Sequence, residues 1–348
     1  MKHTLNNFDF LRFVAATLVV FSHCYPLSGS AVEPFVKFTG IETGGAIAVG
    51  IFFVISGFLI ASSYQAQPKA RIFFWKRSLR IFPAFWGSVL FCALIVGPLF
   101  TVLPLGDYFS SHEFWQFLRN ARLFVLHLLL PGVFENNPNP AVNGSWWTLP
   151  MEFSMYIFLF IAGKGGVLTR KWLWVIVMGL FTWHLLIPPD TKAHFFHMPL
   201  FHFSRNSALF FAGSLLFHYR YVLERQRPWY AFGLAGLSFL LFRDFHGLSA
   251  SYPLVDYLIF YAYFPYLVIY FALHSIPFIR DWARFGDFSY GIYLYAFPVQ
   301  QSLVYLHWAQ GSTVMLFAAS MAIILPLAAA SWHFIEKPAL RCKPRSTS

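Results

Sequence analysis

Three ionisable residues interrupt an otherwise apolar run at Phe8–Pro26, FDFLRFVAATLVVFSHCYP: Asp9 and Arg12 near one end, His23 near the other. A charged group inside a bilayer costs at least about 2.5 kcal/mol, so it turns toward a protein interior or a water-filled path. Arg12 and His23 are eleven positions apart, about three helical turns, which puts both on one face roughly 16 Å apart along the axis. A neutral imidazole there can take the proton of a hydroxyl or carry a transferred group. Glu152, just inside a later apolar run, falls at the depth assigned to His23 and would orient that imidazole. The plainer readings are a snorkelling Arg12, a boundary-bound His23 and a solvated acid at a helix start.

A second group lies in the basic turn KARIFFWKRSLRIFP, Lys69–Pro83. Arg77 and Arg80, three apart, share a face if the segment is helical, and their guanidinium forks match phosphate oxygens. Basic residues also flank cytoplasmic helix ends for topological reasons alone. Ahead of them, Ser56 and Gly57 in GIFFVISGFLI permit close approach of a helix or a ligand, close packing being the commoner use. His194, His197 and His202 gather in one loop, read as a wet loop because their spacing does not dictate a metal site. Glu224, Asp244, Asp281 and Asp287 read as solvated charges at loop ends.

These groups need a scaffold, and the composition says which. Of 348 residues 58% are hydrophobic, 21% aromatic and 11% charged, the profile of a polytopic membrane protein rather than a soluble one. Cys24, Cys92 and Cys342 are scattered and suggest neither a disulfide framework nor zinc. A formal net charge of +11 answers anionic lipid or an anionic substrate, not nucleic acid. Asp9 and Arg12 also argue against a cleaved signal peptide.

The expected fold is an all-α transmembrane bundle in a single unit, 1–348, without a fused extracytoplasmic domain. It has about ten spans, at 8–27, 44–64, 81–105, 147–163, 172–187, 204–220, 229–243, 254–275, 289–307 and 313–335. The segment Phe114–Pro131, interrupted by Arg119, Asn120, Arg122 and His127, belongs at the outer interface or re-enters. With both termini cytoplasmic, about 18 Lys and Arg lie inside against about six outside. Trp146 and Trp147, after the Pro- and Asn-rich loop 132–145, suit an interfacial belt.

Taken together, several segments resemble the integral-membrane acyltransferase family 3, which O-acylates cell-surface glycans. They are FDFLRFVAATLVVFSH, FFVISGFLI at 52–60, RSLRIFP at 77–83, GSWWTLPMEF at 144–153, FGDFSYGIYLYAFPVQQ at 285–301 and HFIEKP at 333–338. One departure is visible: many members carry a His where YLYAFP has Tyr295 and Ala296, so that position supplies no base here.

The resemblance implies a bacterial inner-membrane enzyme that moves an acyl group, acetyl by analogy, from cytoplasmic acyl-CoA to a hydroxyl of a glycan or glycolipid such as O-antigen or exopolysaccharide. His23 is then general base or acyl carrier, and Glu152 holds its tautomer. Arg12 stabilises the oxyanion or binds the donor, and Arg77, Arg80 and Ser56 face acetyl-CoA. Trp147 faces the acceptor, and no metal is called for. A transporter of an anionic or sugar-linked solute would use the same polar path without chemistry; only an enzyme releases CoA as the acceptor is modified.

Overall fold

The structure, a computed structural model, describes residues 6–29, 32–39, 42–227, 230, 233, 253–308 and 312–344. Apolar runs whose backbone cannot hydrogen-bond to lipid must satisfy themselves as helices, and helices dominate. In chain order they are α1 (Phe8–Leu27), α2 (Pro34–Thr39), α3 (Gly44–Ala66), α4 (Ala70–Phe91), α5 (Gly97–Phe100), α6 (Leu105–Ser110) and α7 (His112–Leu118), then α8 (Thr148–Lys164), α9 (Arg170–Leu185), α10 (Leu200–Phe217) and α11 (Arg220–Arg225). The chain closes with α12 (Pro253–Leu273), α13 (Ser289–Tyr305), α14 (Thr313–Ser331) and α15 (Lys337–Arg341), and its one sheet among the described residues pairs His194–Phe195 with Met198–Pro199.

Among the described residues, four helical runs are long and apolar enough to cross a membrane: Phe8–Leu27, Gly44–Ala66, Ala70–Phe100 and Thr313–Arg341. With the family resemblance they mark a membrane protein. The expected stretch at 229–243 lies outside the described residues, apart from 230 and 233. Phe114–Pro131 forms no through-going helix: α7 has seven residues, a 3-10 turn follows at Arg119–Arg122, and the chain then runs irregularly. Asn120 ties it down, donating to the carbonyls of Phe117 and His127, both at 2.7 Å, and accepting from the His127 N–H at 2.9 Å.

Local chemistry sets the helix ends and breaks. Thr43 caps α3 by accepting from the Ala46 N–H at 3.0 Å, and Ser312 caps α14 through Met315. Two π-turns, Cys92–Val96 and Trp332–Glu336, each stand just before a proline, Pro98 and Pro338. A proline has no N–H for the fourth carbonyl back and its ring crowds that carbonyl, so a widened turn lets the helix continue past it. Pro83, expected in the first turns of a span, is mid-helix, because α4 begins at Ala70 and takes in the basic turn.

The centre is the α3–α10 crossing. A Cβ added at Gly57 would lie 1.8 Å from the Phe210 carbonyl oxygen, and one at Gly213 would lie 2.0 Å from that of Val54. The two backbones touch, as small residues permit in membrane helices. Ser214 Oγ donates across the crossing to the Gly57 carbonyl at 3.1 Å. Gly57 is therefore used for packing, while its neighbour Ser56 faces a cavity.

Candidate functional site

Two cavities lie in line along α1 and α3. The first, about 510 Å³, is lined by Arg12, Ser56, Arg77, Arg80, Glu152 and Lys343 among others; the second, about 560 Å³, by His23, Glu33, Ser145, Trp147, His202 and Arg205 among others. α1 carries Arg12 at the first and His23 at the second, and α3 runs the other way, from Thr43 at the second to Ser56 at the first. Val49 and Tyr293 line both and so stand where the two meet. The Tyr293 hydroxyl is held there by the Ser145 carbonyl and the Thr148 hydroxyl. The single polar shaft expected from α1 is thus two chambers with a partition.

The first chamber is cationic, with Arg12, Lys76, Arg77, Arg80 and Lys343 set against Asp9, Glu152 and Asp287. Arg80 is spoken for: its Nη2 is 2.7 Å from Asp287 Oδ2 and its Nη1 3.8 Å from Glu336 Oε2. Arg12 lies 3.3 Å from Asp9 and 3.9 Å from Asp287. Asp287 is not the solvated loop acid its position suggested, for its side chain is 12% exposed. Burial alone would raise its pKa, but Arg80 and then Arg12 hold the carboxyl down at about 2.

Arg77, by contrast, is buried with its Nε unpartnered, its guanidinium over the Phe73 ring at 4.8 Å. Lys343, beyond the last helix, is lowered to about 8 by partial burial and by the neighbouring Arg80, Arg77, Lys76 and Arg12.

Glu152 is in this first chamber, not beside His23. It accepts from Ser56 Oγ at 3.1 Å and from the Tyr156 hydroxyl one turn away. It starts the second turn of α8, whose Thr148, Leu149, Glu152 and Tyr156 line the first chamber, whereas Ser145 and Trp147 ahead of the helix line the second. Nothing among the described residues orients His23 in its place: His23 Nδ1 is buried without a hydrogen-bond partner, and the ring meets Phe297 edge-on at 5.3 Å.

Nor do the tryptophans form a belt. Trp146 is fully buried, its Nε1 donating to Ser88 Oγ at 3.2 Å, and Trp147 packs its ring 5.2 Å from His202. The histidine loop separates as well, since His194 and His197 are exposed while His202 opens α10 and lines the second chamber. Among the described residues no group of His, Cys, Asp and Glu could hold a metal ion.

A family model described as an acyltransferase domain, acyltransferase family 3, matches residues 5–333. The chain belongs to this family. Its similarity to curated proteins runs end to end as well. It is 30% identical to a protein named O-acetyl transferase from Shigella phage Sf6, with 96% of each chain covered. It is also 30% identical to Nodulation protein 10 of Rhizobium leguminosarum bv. viciae, covering 97% of this chain and 94% of that one. No solved structure matches. The protein is therefore an acyl-transferring enzyme.

Inspection of the acyltransferase's sequence missed Glu33, Glu42, Ser145 and Arg205. Arg205 sits in α10, only 2% exposed, with Nη1 2.9 Å from both carboxylate oxygens of Glu42. Its signal was present, an arginine inside an apolar run of the kind that drew attention to Arg12. Glu33 and Glu42 are distant from it in sequence and sit in short loops, so only folding shows that Glu33 lines the same chamber and that Glu42 clamps the guanidinium.

Proposed function

We propose that this acyltransferase is a multi-pass inner-membrane O-acyltransferase that moves an acetyl group from cytoplasmic acetyl-CoA to a hydroxyl of an exported or envelope glycan. The observation that carries the reading is the pair of in-line chambers, one lined with cations and one with His23, meeting at Val49 and Tyr293. The start of α1, the middle of α4 at Lys76–Ile81, the 281–288 loop and Lys343 all contribute to the cationic chamber. That clustering supports a single cytoplasmic face, with both termini on it and about ten spans between them.

In this reading Arg77 and Lys343, with Lys76, hold the donor phosphates, because Arg80 and Arg12 are already engaged by carboxylates. Ser56, Glu152 and Tyr156 line the path that the thioester arm follows toward Tyr293. His23 takes the proton of the acceptor hydroxyl as its oxygen attacks the thioester carbonyl; the C–S bond then breaks and CoA leaves as the thiol, reprotonated by the imidazolium. Arg12 belongs to the donor side by position rather than to an oxyanion at His23. The acceptor lies along Trp147 in the second chamber.

The test is transfer of radiolabel from acetyl-CoA to a crude envelope glycan by membranes carrying the protein, with CoA release measured in parallel. Label in the glycan and free CoA should rise in step. Label enclosed in vesicles without CoA release would instead mean transport. Arg77→Met should raise KM for acetyl-CoA about tenfold or more, the worth of a charge-assisted hydrogen bond. Arg80→Ala is the poorer probe, since it leaves buried Glu336 without a cation and Asp287 with only Arg12 at 3.9 Å, and breaking a buried pair costs about 3–5 kcal/mol.

Donor affinity should also depend on pH. Lys343 titrates at about 8 in the free enzyme, so it is cationic below that pH and neutral above it. kcat/KM for acetyl-CoA, which reports free-enzyme groups, is expected to fall as pH rises through about 8. Lys343→Ala should flatten that limb.

A further inference from the structure

Buried polar side-chain atoms without hydrogen-bond partners are rare in folded proteins, yet half of those among the described residues belong to side chains of residues that line one chamber. They are His23 Nδ1, Glu33 Oε2, Ser145 Oγ, His202 Nδ1 and Arg205 Nη2. Three belong to residues that are themselves almost wholly buried: Glu33 at 7%, Ser145 at 1% and Arg205 at 2% exposure. Each of these three is otherwise anchored. Glu33 Oε1 accepts from the Gly44 N–H at 2.8 Å, the Ser145 N–H donates to Asn143 Oδ1 at 3.0 Å, and Arg205 is clamped by Glu42. The free oxygen of Glu33 and the free nitrogen of Arg205 are thus held by the other end of the same group, Ser145 Oγ stands on an anchored backbone, and the mixture of donors and acceptors is what a ring carrying several hydroxyls requires.

The charge of the chamber narrows the ligand further. The guanidinium of Arg205 is neutralised by both oxygens of Glu42. Glu33 has no cation within salt-bridge distance among the described residues. A carboxylated or phosphorylated sugar would meet an uncompensated negative charge and no spare positive one. Bringing like charges together in a poorly hydrated space is strongly unfavourable.

We infer that the second chamber seats an uncharged pyranose of the acceptor, with Glu33 accepting from one ring hydroxyl and Arg205 and Ser145 binding others, so that Glu33 excludes acidic sugars. This rests on the acyl-transfer reading above for the role of His23, but the seat itself is a binding site with its own readout. Trp147 forms an apolar wall for the ring's C–H face, and His23 meets whichever hydroxyl is left facing it. Glu33, Ser145 and Arg205 then determine specificity for the acceptor rather than reactivity toward the donor.

Two measurements on the full chain in nanodiscs test it: saturation-transfer NMR of methyl hexosides and methyl glucuronide, and steady-state acetyl transfer to the same glycosides. Wild type should bind and acetylate at least one neutral hexoside and ignore the glucuronide. Glu33→Gln keeps an oxygen for Gly44 but loses the charge. It should weaken hexoside binding and raise acceptor KM about tenfold, leave KM for acetyl-CoA where it was, and admit the glucuronide. Ser145→Ala, which removes no contact within the protein, should raise acceptor KM severalfold.

The inference is overturned if wild type prefers the glucuronide, or if neither variant changes hexoside binding or acceptor KM while transfer proceeds. If wild type transfers no acetyl group yet binds the hexoside in a Glu33-dependent way, the acyl-transfer reading fails and the sugar site stands.

Discussion

His23→Ala is expected to abolish acetyl transfer to the glycan, with a loss of at least about a hundredfold in kcat. A positioned general base contributes about 10²- to 10⁴-fold, and of the other described groups of the second chamber that could take a proton, Glu33 is assigned to a different ring hydroxyl and His202 remains. His202 is occupied in a different way, its ring packed on Trp147 at 5.2 Å. Because His23 faces the chamber away from the cations, KM for acetyl-CoA should not move, and the loss should fall on kcat and on acceptor turnover. His23→Asn is the companion variant: it has similar bulk, cannot act as a base at neutral pH and should be as inactive. If either variant transfers label at the wild-type rate with equal protein in the membrane, His23 is not the reacting group.

The second large effect is structural. Gly57→Val should prevent the bundle from assembling, seen as loss of monodisperse protein on detergent extraction and of any cooperative thermal transition. An added methylene in a packed core usually costs about 1–3 kcal/mol, because side chains can shift to make room. Here the new Cβ would fall 1.8 Å from a backbone oxygen, that of Phe210, and only separation of α3 from α10 relieves that. The separation would also break the Ser214 hydrogen bond to the Gly57 carbonyl and move Ser56 in the first chamber. Gly179→Ala is the control, since a Cβ there has nothing within 4 Å. It should extract and melt like wild type.

The sequence by itself determined the class of molecule, the positions of most helices and the residues that were too polar for their surroundings. Arg12 and His23 stood out because a bilayer makes an unpaired charge expensive wherever it occurs along a chain, and Arg77 and Arg80 because they pair at helical spacing in the densest basic turn. Ordered motifs from Phe8 to Pro338 sufficed to indicate the acyltransferase family. Helical periodicity also put Arg12 and His23 on one face, and both do line cavities.

What spacing along one helix does not convey is where the other helices are, and hence what each side chain meets. Depth and chamber are different quantities. Glu152 lies one turn beyond Trp147, and that turn carries it past Tyr293 into the company of Ser56 and Tyr156. Asp287 looked like a loop acid until α4 brought Arg80 within 2.7 Å of it. The clamp of Arg205 by Glu42 spans 163 positions, and Glu33 and Ser145 reach the same chamber from separate loops. The Arg205–Glu42 clamp goes with the backbone contact at Gly57 and Gly213, which sets how closely α10 and α3 approach. Only the tertiary structure decides these pairings, because an ion pair or a shared cavity is a property of two elements at once and leaves no period in either.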